Sequence, residues 1–387
     1  MTINRNFLLV AILIAAVILH GSLYPYAFEV PASPIGPVRT LLQSWSKPPS
    51  GFGDLAANIL LYVPFGFFAV LAINGRSRVL WVTAAGLTLC IVVELAQYYD
   101  AGRVTNMSDV YLNTFGTWLG AMGGAVAVSR PALVGVLSVK PIPTLLVIAF
   151  LGYRLFPYVP TIDLHKYWNA LKPLFLHPGA SPAAVFHYFA LWLVASFLMD
   201  QVAGGRKSLV FVAFLMAFVF AAKVLIVSLA VTLPEVVGAT LAYAFWITIS
   251  GCPRIAAPVV AVILCAAITM LRLEPFNFRA TPGIFSWLPF RGFLGGSLEI
   301  NIASFFEKFF LYGSLVWIAV QAGLSFRVAT LLVTALLFST SLAEVYLPGR
   351  SAEITDALIA LMTGVIFATL ARSTREANGV IHPRTAR

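Results

Sequence analysis

Six polar side chains in the first third of the chain are spaced so that they could act together. They form three pairs at helical spacing, which are Asp54 with Asn58, Glu94 with Gln97, and Asp109 with Asn113. Residues three or four apart share one face of a helix, so each pair would present its polar groups in one direction. Arg103 lies in the short stretch between the second and third pairs.

Two carboxylates and a guanidinium are groups that chemistry on a phosphorylated substrate can use. An arginine fork binds phosphate or pyrophosphate through two parallel hydrogen bonds. A carboxylate whose pKa is raised by burial can serve as a general acid or base. We therefore predict Glu94, Arg103 and Asp109 as catalytic residues. The predicted substrate-binding residues are Asp54, Asn58, Gln97 and Asn113.

The composition of the chain places these groups inside a membrane protein. Hydrophobic residues make up 60% of the sequence and charged residues only 10%, whereas about 25% of residues are charged in a soluble protein. Crossing ~30 Å of hydrocarbon takes about 20 apolar residues in a helix. Twelve segments are candidates: 7–24, 56–73, 79–97, 108–128, 142–157, 183–199, 208–230, 233–250, 255–272, 302–322, 326–346 and 354–371. The predicted fold is all-α and polytopic.

The polar positions recur along the chain, which indicates an internal repeat. An interval of 36 residues separates the members of each of three pairs: Asn58 and Glu94, His187 and Lys223, and Lys308 and Glu344. Twelve helices in three copies give four helices per copy, so successive copies would enter the membrane from the same side as parallel repeats. The predicted repeats are 1–130, 140–251 and 255–371, followed by a basic cytoplasmic tail at 372–387.

The second copy carries exchanged charges. Lys223 stands where the other copies have glutamate, and Glu235 follows it by 12 residues, as Asp356 follows Glu344. A lone lysine in hydrocarbon costs several kcal/mol. We therefore expect Lys223 and Glu235 to form a structural ion pair.

The lysines and arginines of the loops predict the orientation, because they concentrate on the cytoplasmic side of membrane proteins. With a cytoplasmic N-terminus, that side carries Arg5, Arg76, Arg78, Arg130, Lys140, Arg206, Lys207, Arg254, Arg327, Arg372, Arg375, Arg384 and Arg387, opposed only by Asp200 and Glu376. Both termini are thus expected in the cytoplasm, with the polar pairs near the outer face. The net charge of +10 is explained by this asymmetry, and no nucleic-acid partner is expected.

The sequence predicts neither a cofactor nor a metal site, and the tryptophans of its outer loops can be interpreted in two ways. The three cysteines and five histidines show no ligand spacing, and no phosphate loop or dinucleotide fingerprint is present. Three long outer loops contain Trp45, Trp168 and Trp287. These tryptophans are either interfacial anchors or parts of surface helices that roof a lipid site.

The first copy resembles the VanZ-like family. The residues that carry the resemblance are Asn58 with Pro64 and Gly66, Glu94 with Gln97, Arg103, and Asp109 with Asn113, Thr114 and Gly116. The resemblance covers roughly 50–128, and the other two copies depart from the pattern. It implies a bacterial cytoplasmic membrane, a link to the cell envelope and a possible role in resistance to the glycopeptide teicoplanin, but it supplies no reaction.

Three interpretations stay open at the level of sequence. Glu94, Arg103 and Asp109 could form a buried ion-paired scaffold without catalysis. They could bind or transform a membrane lipid or a polyprenyl-linked envelope precursor. The repeated architecture and Lys223 would also suit a transporter.

Overall fold

The computed structural model of the protein describes residues 3–31, 35–47, 52–129, 140–176, 179–204, 208–295 and 298–381. Within these ranges the chain is helical, with isolated β-bridges and no strands. It forms two compact units, Met1–Ser138 and Val139–Arg387. The predicted all-α class is confirmed.

The first unit contains five of the described helices, and the second contains ten. The first five are α1 (Arg5–Ser22), α2 (Pro37–Gln43), α3 (Phe52–Ala72), α4 (Arg78–Gln97) and α5 (Met107–Ser129). The others are α6 (Pro141–Leu155), α7 (Leu164–Leu176), α8 (Pro182–Ala203), α9 (Ser208–Leu225), α10 (Leu233–Ile249), α11 (Pro253–Leu273), α12 (Arg291–Gly295), α13 (Leu298–Gln321), α14 (Phe326–Glu344) and α15 (Thr355–Ile381).

Each of the twelve predicted segments coincides with a helix. Eight of the described helices are long and apolar enough to cross a membrane, namely α1, α4, α8, α9, α11, α13, α14 and α15. The apolar parts of α3, α6 and α10 are shorter, at 10–17 residues. The chain is a multi-pass membrane protein, and a layout of twelve spans stays a prediction.

The two compact units group the predicted repeats. The first unit covers the predicted repeat 1–130, and the predicted repeats 140–251 and 255–371 both lie in the second unit, so the division into three repeats stays a prediction. One hydrophobic core runs through that unit and includes Trp192 of α8, Val260 of α11 and Phe310 of α13. The predicted tail begins inside α15, which continues to Ile381, and residues 382–387 lie outside the described part.

Glycines let α3 and α5 pack with their backbones in contact. A Cβ atom on Gly116 would collide with the carbonyl oxygen of Ile59, and one on Gly120 with that of Val63. On the other helix, Gly66 meets the carbonyl of Thr117 in the same way. This close approach brings the polar ends of α3 and α5 together.

Similar turns follow α1, α6 and α11. Each contains a cis peptide before a proline, at Pro25, Pro157 and Pro275. The next residue has a positive φ of 64° in Tyr26, 63° in Tyr158 and 60° in Phe276.

Two short helices cover the ends of longer ones, each within its own unit. At the end of α2, Ser44 accepts a hydrogen bond of 2.8 Å from the backbone N–H of Met107, the first residue of α5. On α7, the Lys166 ammonium donates to the carbonyls of Lys223, Val224 and Leu229 at 2.8–3.0 Å. Burial lowers the pKa of Lys166 below its usual range.

Candidate functional site

The polar pairs of the first unit meet where α3, α4 and α5 approach one another. Asn58 on α3 donates through Nδ2 to Oδ1 of Asp109 on α5, at 3.0 Å. The carboxyl group of Glu94 on α4 lies within electrostatic range of that of Asp109, so that like charges on the two groups would repel each other. The hydrogen bond joins Asn58 and Asp109, which are 51 positions apart in the chain. The spacing of residues within one helix could not predict this contact between two helices.

Glu94 is a buried carboxylate that is bound mainly by the backbone. Its side chain is 2% exposed, and Oε2 accepts from the backbone N–H of Asn106 at 2.8 Å. Among the described residues no lysine, arginine or histidine forms an ion pair with Glu94. A negative charge on Glu94 would therefore have no direct salt bridge within that part of the chain.

Arg103 binds the main chain. Its Nε donates to the carbonyl of Tyr24 at 2.6 Å, and an Nη donates to that of Gly21 at 3.0 Å. The residue is exposed and lies within electrostatic range of Glu94. It ties the loop before α5 to the end of α1, while part of its guanidinium stays open to a ligand.

The remaining predicted site residues take different positions. Gln97 donates from Nε2 to the carbonyl of Ser22 at 2.8 Å, which joins α4 to α1. Asn113 lies one turn below Asp109, is 5% exposed, and its Oδ1 has no partner among the described atoms. Asp54 is on the first turn of α3, but its side chain lies outside the described part.

Sequence reasoning missed Tyr62 in this cluster. The ring is fully buried one turn below Asn58 and lies within electrostatic range of Cys90, Glu94 and Asp109. Its hydroxyl has no oxygen or nitrogen partner among the described atoms. The spacing of four from Asn58 was the available signal.

An apolar groove of about 680 Å³ lies on α4 and α5, the helices that also carry Glu94 and Asp109 of the polar cluster, which is formed by Asn58, Glu94 and Asp109. Its walls are the outer faces of α4 and α5, and α2 with Trp45 closes one side. Ile91 and Leu95 line it and flank Glu94 on α4, while Val110 lines it next to Asp109 on α5. Polar cluster and groove thus share the same two helices.

The second unit contains two ion-paired clusters. In the first, Glu235 at the start of α10 pairs with Arg154 from the end of α6 and with Lys223 from the end of α9. All three side chains are at most 7% exposed. The predicted pair between Lys223 and Glu235 is confirmed, and it includes an arginine that the sequence analysis did not single out.

The other cluster is centred on Arg272 at the end of α11. Its guanidinium pairs with Glu344 at 2.7 Å and with Asp356, and it also donates to Ser341 and to the Tyr312 hydroxyl, each at 2.9 Å. Lys308 pairs with the second oxygen of Asp356 at 2.7 Å. One buried cation, Arg272, and one half-buried cation, Lys308, therefore face two buried carboxylates.

Arg154 and Arg272 were missed because each lies at the end of an apolar segment. An arginine at the end of an apolar segment is expected to extend its charged group to the membrane surface, so no buried ion pair was predicted for it. A signal was present, since both stand three residues before the proline of the recurring turn.

Comparison with known proteins finds a family similarity for the first unit. Residues 7–127, about a third of the chain, match the family model VanZ/LLP1. This part of the chain is similar to that family, and the first unit is called the VanZ-like unit below. The match begins earlier than the resemblance at 50–128 and takes in α1, so the VanZ-like unit contains both the polar cluster and the groove. No curated protein and no solved structure shows significant similarity to the chain.

The VanZ-like unit combines hydrogen-bond acceptors with an apolar surface. Glu94, Asp109 and Asn113 supply oxygens that can accept from a ligand, and Arg103 supplies donors at the rim. The described residues contain no group of histidine, cysteine and acidic side chains that could hold a metal ion.

The two units should respond differently to neutralisation of a buried carboxylate. Glu235→Gln leaves Arg154 and Lys223 buried without their carboxylate, so the fold should lose about 3–5 kcal/mol. Glu94→Gln removes a carboxylate that has no salt bridge and keeps an oxygen for the Asn106 N–H, so stability should be unchanged or higher. Thermal unfolding of the purified variants in one detergent measures both effects. A large loss for Glu94→Gln would show that its charge is compensated within the protein.

Proposed function

We propose that the VanZ-like unit binds a membrane lipid or a lipid-linked precursor of the cell envelope. The head group would lie against the polar cluster, with the hydrocarbon chain in the neighbouring groove. The observation that carries this proposal is the position of the groove on α4 and α5. Its lining residues Ile91, Leu95 and Val110 lie within three positions of Glu94 or Asp109 in the chain, although neither carboxylate lines the groove itself. The predicted catalytic roles of Glu94, Arg103 and Asp109 extend the same proposal.

A hydrocarbon chain is the occupant that the groove favours. Its walls belong to helices of a membrane protein, so lipid is the medium around them. The exposed aromatic side chains Tyr111, Phe115 and Trp118 follow one side of α5 along the groove. This supports the interpretation of α2 and Trp45 as the roof of a lipid site.

We further propose that the three four-helix segments are copies of one unit. Arg103 donates to the carbonyls of Gly21 and Tyr24, and Arg350 donates to those of Leu271 and Glu274. Residues 271 and 274 are the positions 250 residues after 21 and 24. The Asn58–Asp109 hydrogen bond corresponds to the Lys308–Asp356 ion pair, in which Lys308 lies 250 positions after Asn58 and Asp356 lies 247 positions after Asp109.

The turn after α6 supports the proposal that the second four-helix segment is a copy of the first. The Tyr26 hydroxyl donates to the carbonyl of His20 at 3.1 Å, and the Tyr158 hydroxyl to that of Gly152 at 2.7 Å. Both residues of the second pair lie 132 positions after those of the first. Their shared positive φ agrees with this register.

The scaffold interpretation fits the second unit better than the first. Its two clusters neutralise their own charges, which is what a structural network requires. The transporter interpretation gains no specific support from either cluster. We therefore place ligand binding in the VanZ-like unit and structural ion pairing in the rest of the chain.

The location that fits this function is a bacterial cytoplasmic membrane, with both termini in the cytoplasm and the polar cluster near the outer leaflet. The charge of the loops and the VanZ-like match support it. A role in the cell envelope, including glycopeptide resistance, is part of the same proposal.

Single cysteines introduced at Trp45, Trp168 and Trp287 test this orientation. A membrane-impermeant maleimide should label all three in intact cells, and should label Gly75 and Gly323 replaced by cysteine only after permeabilisation. The reverse pattern would move the polar cluster to the cytoplasmic side and contradict a site for outer-leaflet lipids.

Narrowing the groove tests lipid binding. Tryptophan at both Leu87 and Thr114 fills opposite walls, so lipid retained through purification should fall severalfold while thermal stability is kept. Tryptophan at Leu80 and Met122, which lie on the same helices outside the groove, is the matched control. Quantitative lipid mass spectrometry measures the result, and equal retention in the two double variants would contradict the proposal.

A further inference from the structure

We propose that the polar cluster of the VanZ-like unit receives the primary ammonium group of a lipid head group. This group would take the place that an arginine of the chain itself occupies in each cluster of the second unit. The inference rests on the proposed lipid site and specifies the chemistry that the site recognises.

Aligning the residue numbers of the three copies identifies one position at which the VanZ-like unit differs from the other two. Since Gly21 and Tyr24 correspond to Leu271 and Glu274, Ser22 corresponds to Arg272. Since His20 and Tyr26 correspond to Gly152 and Tyr158, Ser22 also corresponds to Arg154. Both registers reach the same conclusion independently, which is that the VanZ-like unit has a serine where the other copies have a buried arginine.

The carboxylates around this position are retained while the guanidinium is absent. Arg272 pairs with Glu344 and Asp356, and their counterparts in the VanZ-like unit are Glu94 and Asp109. Glu94 is as buried as Glu344, at 2% against 6% exposure, but it has no ion pair among the described residues. A buried carboxylate without a cation is costly in an apolar environment, so a cationic ligand would be favoured there.

Two further polar groups point to a ligand that donates hydrogen bonds. Among the described atoms, Oδ1 of Asn113 is a buried acceptor without a hydrogen-bond partner, on the same face of α5 as Asp109. The buried Tyr62 hydroxyl forms a hydrogen bond with the Cys90 thiol and lies within electrostatic range of both carboxylates. These groups are independent of the charge comparison, and each can accept a hydrogen bond.

A primary ammonium fits this set of acceptors better than a quaternary one. It carries three N–H donors on a compact charge, whereas a trimethylated nitrogen has none. The phosphate of the same head group would lie toward the rim, where Arg103 is exposed and keeps donors that its two main-chain bonds do not use. The inferred ligand class is therefore an amine-bearing phospholipid.

The test compares lipids on the purified full-length protein by native mass spectrometry. The probes are phosphatidylethanolamine, phosphatidylcholine and phosphatidylglycerol with identical acyl chains. Phosphatidylethanolamine should be retained about tenfold better than the other two, which is the preference expected from one charge-assisted hydrogen bond. Glu94→Gln should reduce this preference to near unity.

The decisive variant is Ser22→Arg, which gives the VanZ-like unit the arginine of its other copies. It should raise the melting temperature, because the new guanidinium pairs with Glu94, and it should abolish the preference for phosphatidylethanolamine. Ser22→Gln is the control of similar length without charge and should keep most of the preference. A Ser22→Arg protein that is folded and still prefers phosphatidylethanolamine would overturn the inference.

The outcomes separate this inference from the function on which it rests. Retention of all three lipids to the same degree by the unmodified protein would contradict the ammonium site and leave lipid binding in place. Retention of none would contradict lipid binding itself. Displacement of phosphatidylethanolamine by millimolar free ethanolamine would show that the amine alone is recognised, and would contradict the role of the lipid chain.

Discussion

Neutralisation of charge within an apolar helical bundle is the constraint on which this structure depends. A carboxylate or ammonium in hydrocarbon is costly unless a partner of opposite charge is held against it. Two clusters of the second unit meet the constraint internally, since Glu235 lies between Arg154 and Lys223, and Arg272 between Glu344 and Asp356. These pairs join the ends of helices that are 12 to 84 residues apart in the chain and so fix how the helices are packed.

The VanZ-like unit meets the same constraint only in part. Glu94 is held by a backbone N–H, and Asn58 supplies a neutral amide to Asp109, so hydrogen bonds are present without a buried arginine. Removing one partner of a buried ion pair is generally destabilising, and in the proposed function a ligand supplies the missing cation. The proposal thus assigns a structural role to one part of the chain and ligand binding to another.

The sequence was sufficient to predict the long helices and the contacts between residues that are close in the chain. Apolar runs predicted each long helix because hydrocarbon demands continuous apolar surface, and the Lys223–Glu235 pair followed from a separation of 12 residues across one turn. The Arg154–Glu235 contact spans 81 residues and depends on how α6 meets α10, which no spacing rule encodes. For the same reason the groove beside Glu94 was not predictable, since its walls come from three helices. The placement of Arg103 on main-chain carbonyls also required the turn after α1 to be known.

The measurement that tests this account most directly is a cryo-EM structure of the protein in nanodiscs made from phosphatidylethanolamine and phosphatidylglycerol. The account predicts a lipid with its acyl chain in the groove between α4, α5 and Trp45. Its head-group nitrogen should lie within hydrogen-bond distance of Glu94, with its phosphate toward Arg103. A dry, closed cluster in which a side chain of the protein neutralises Glu94, with no lipid in the groove, would contradict the account and favour a purely structural role for the VanZ-like unit.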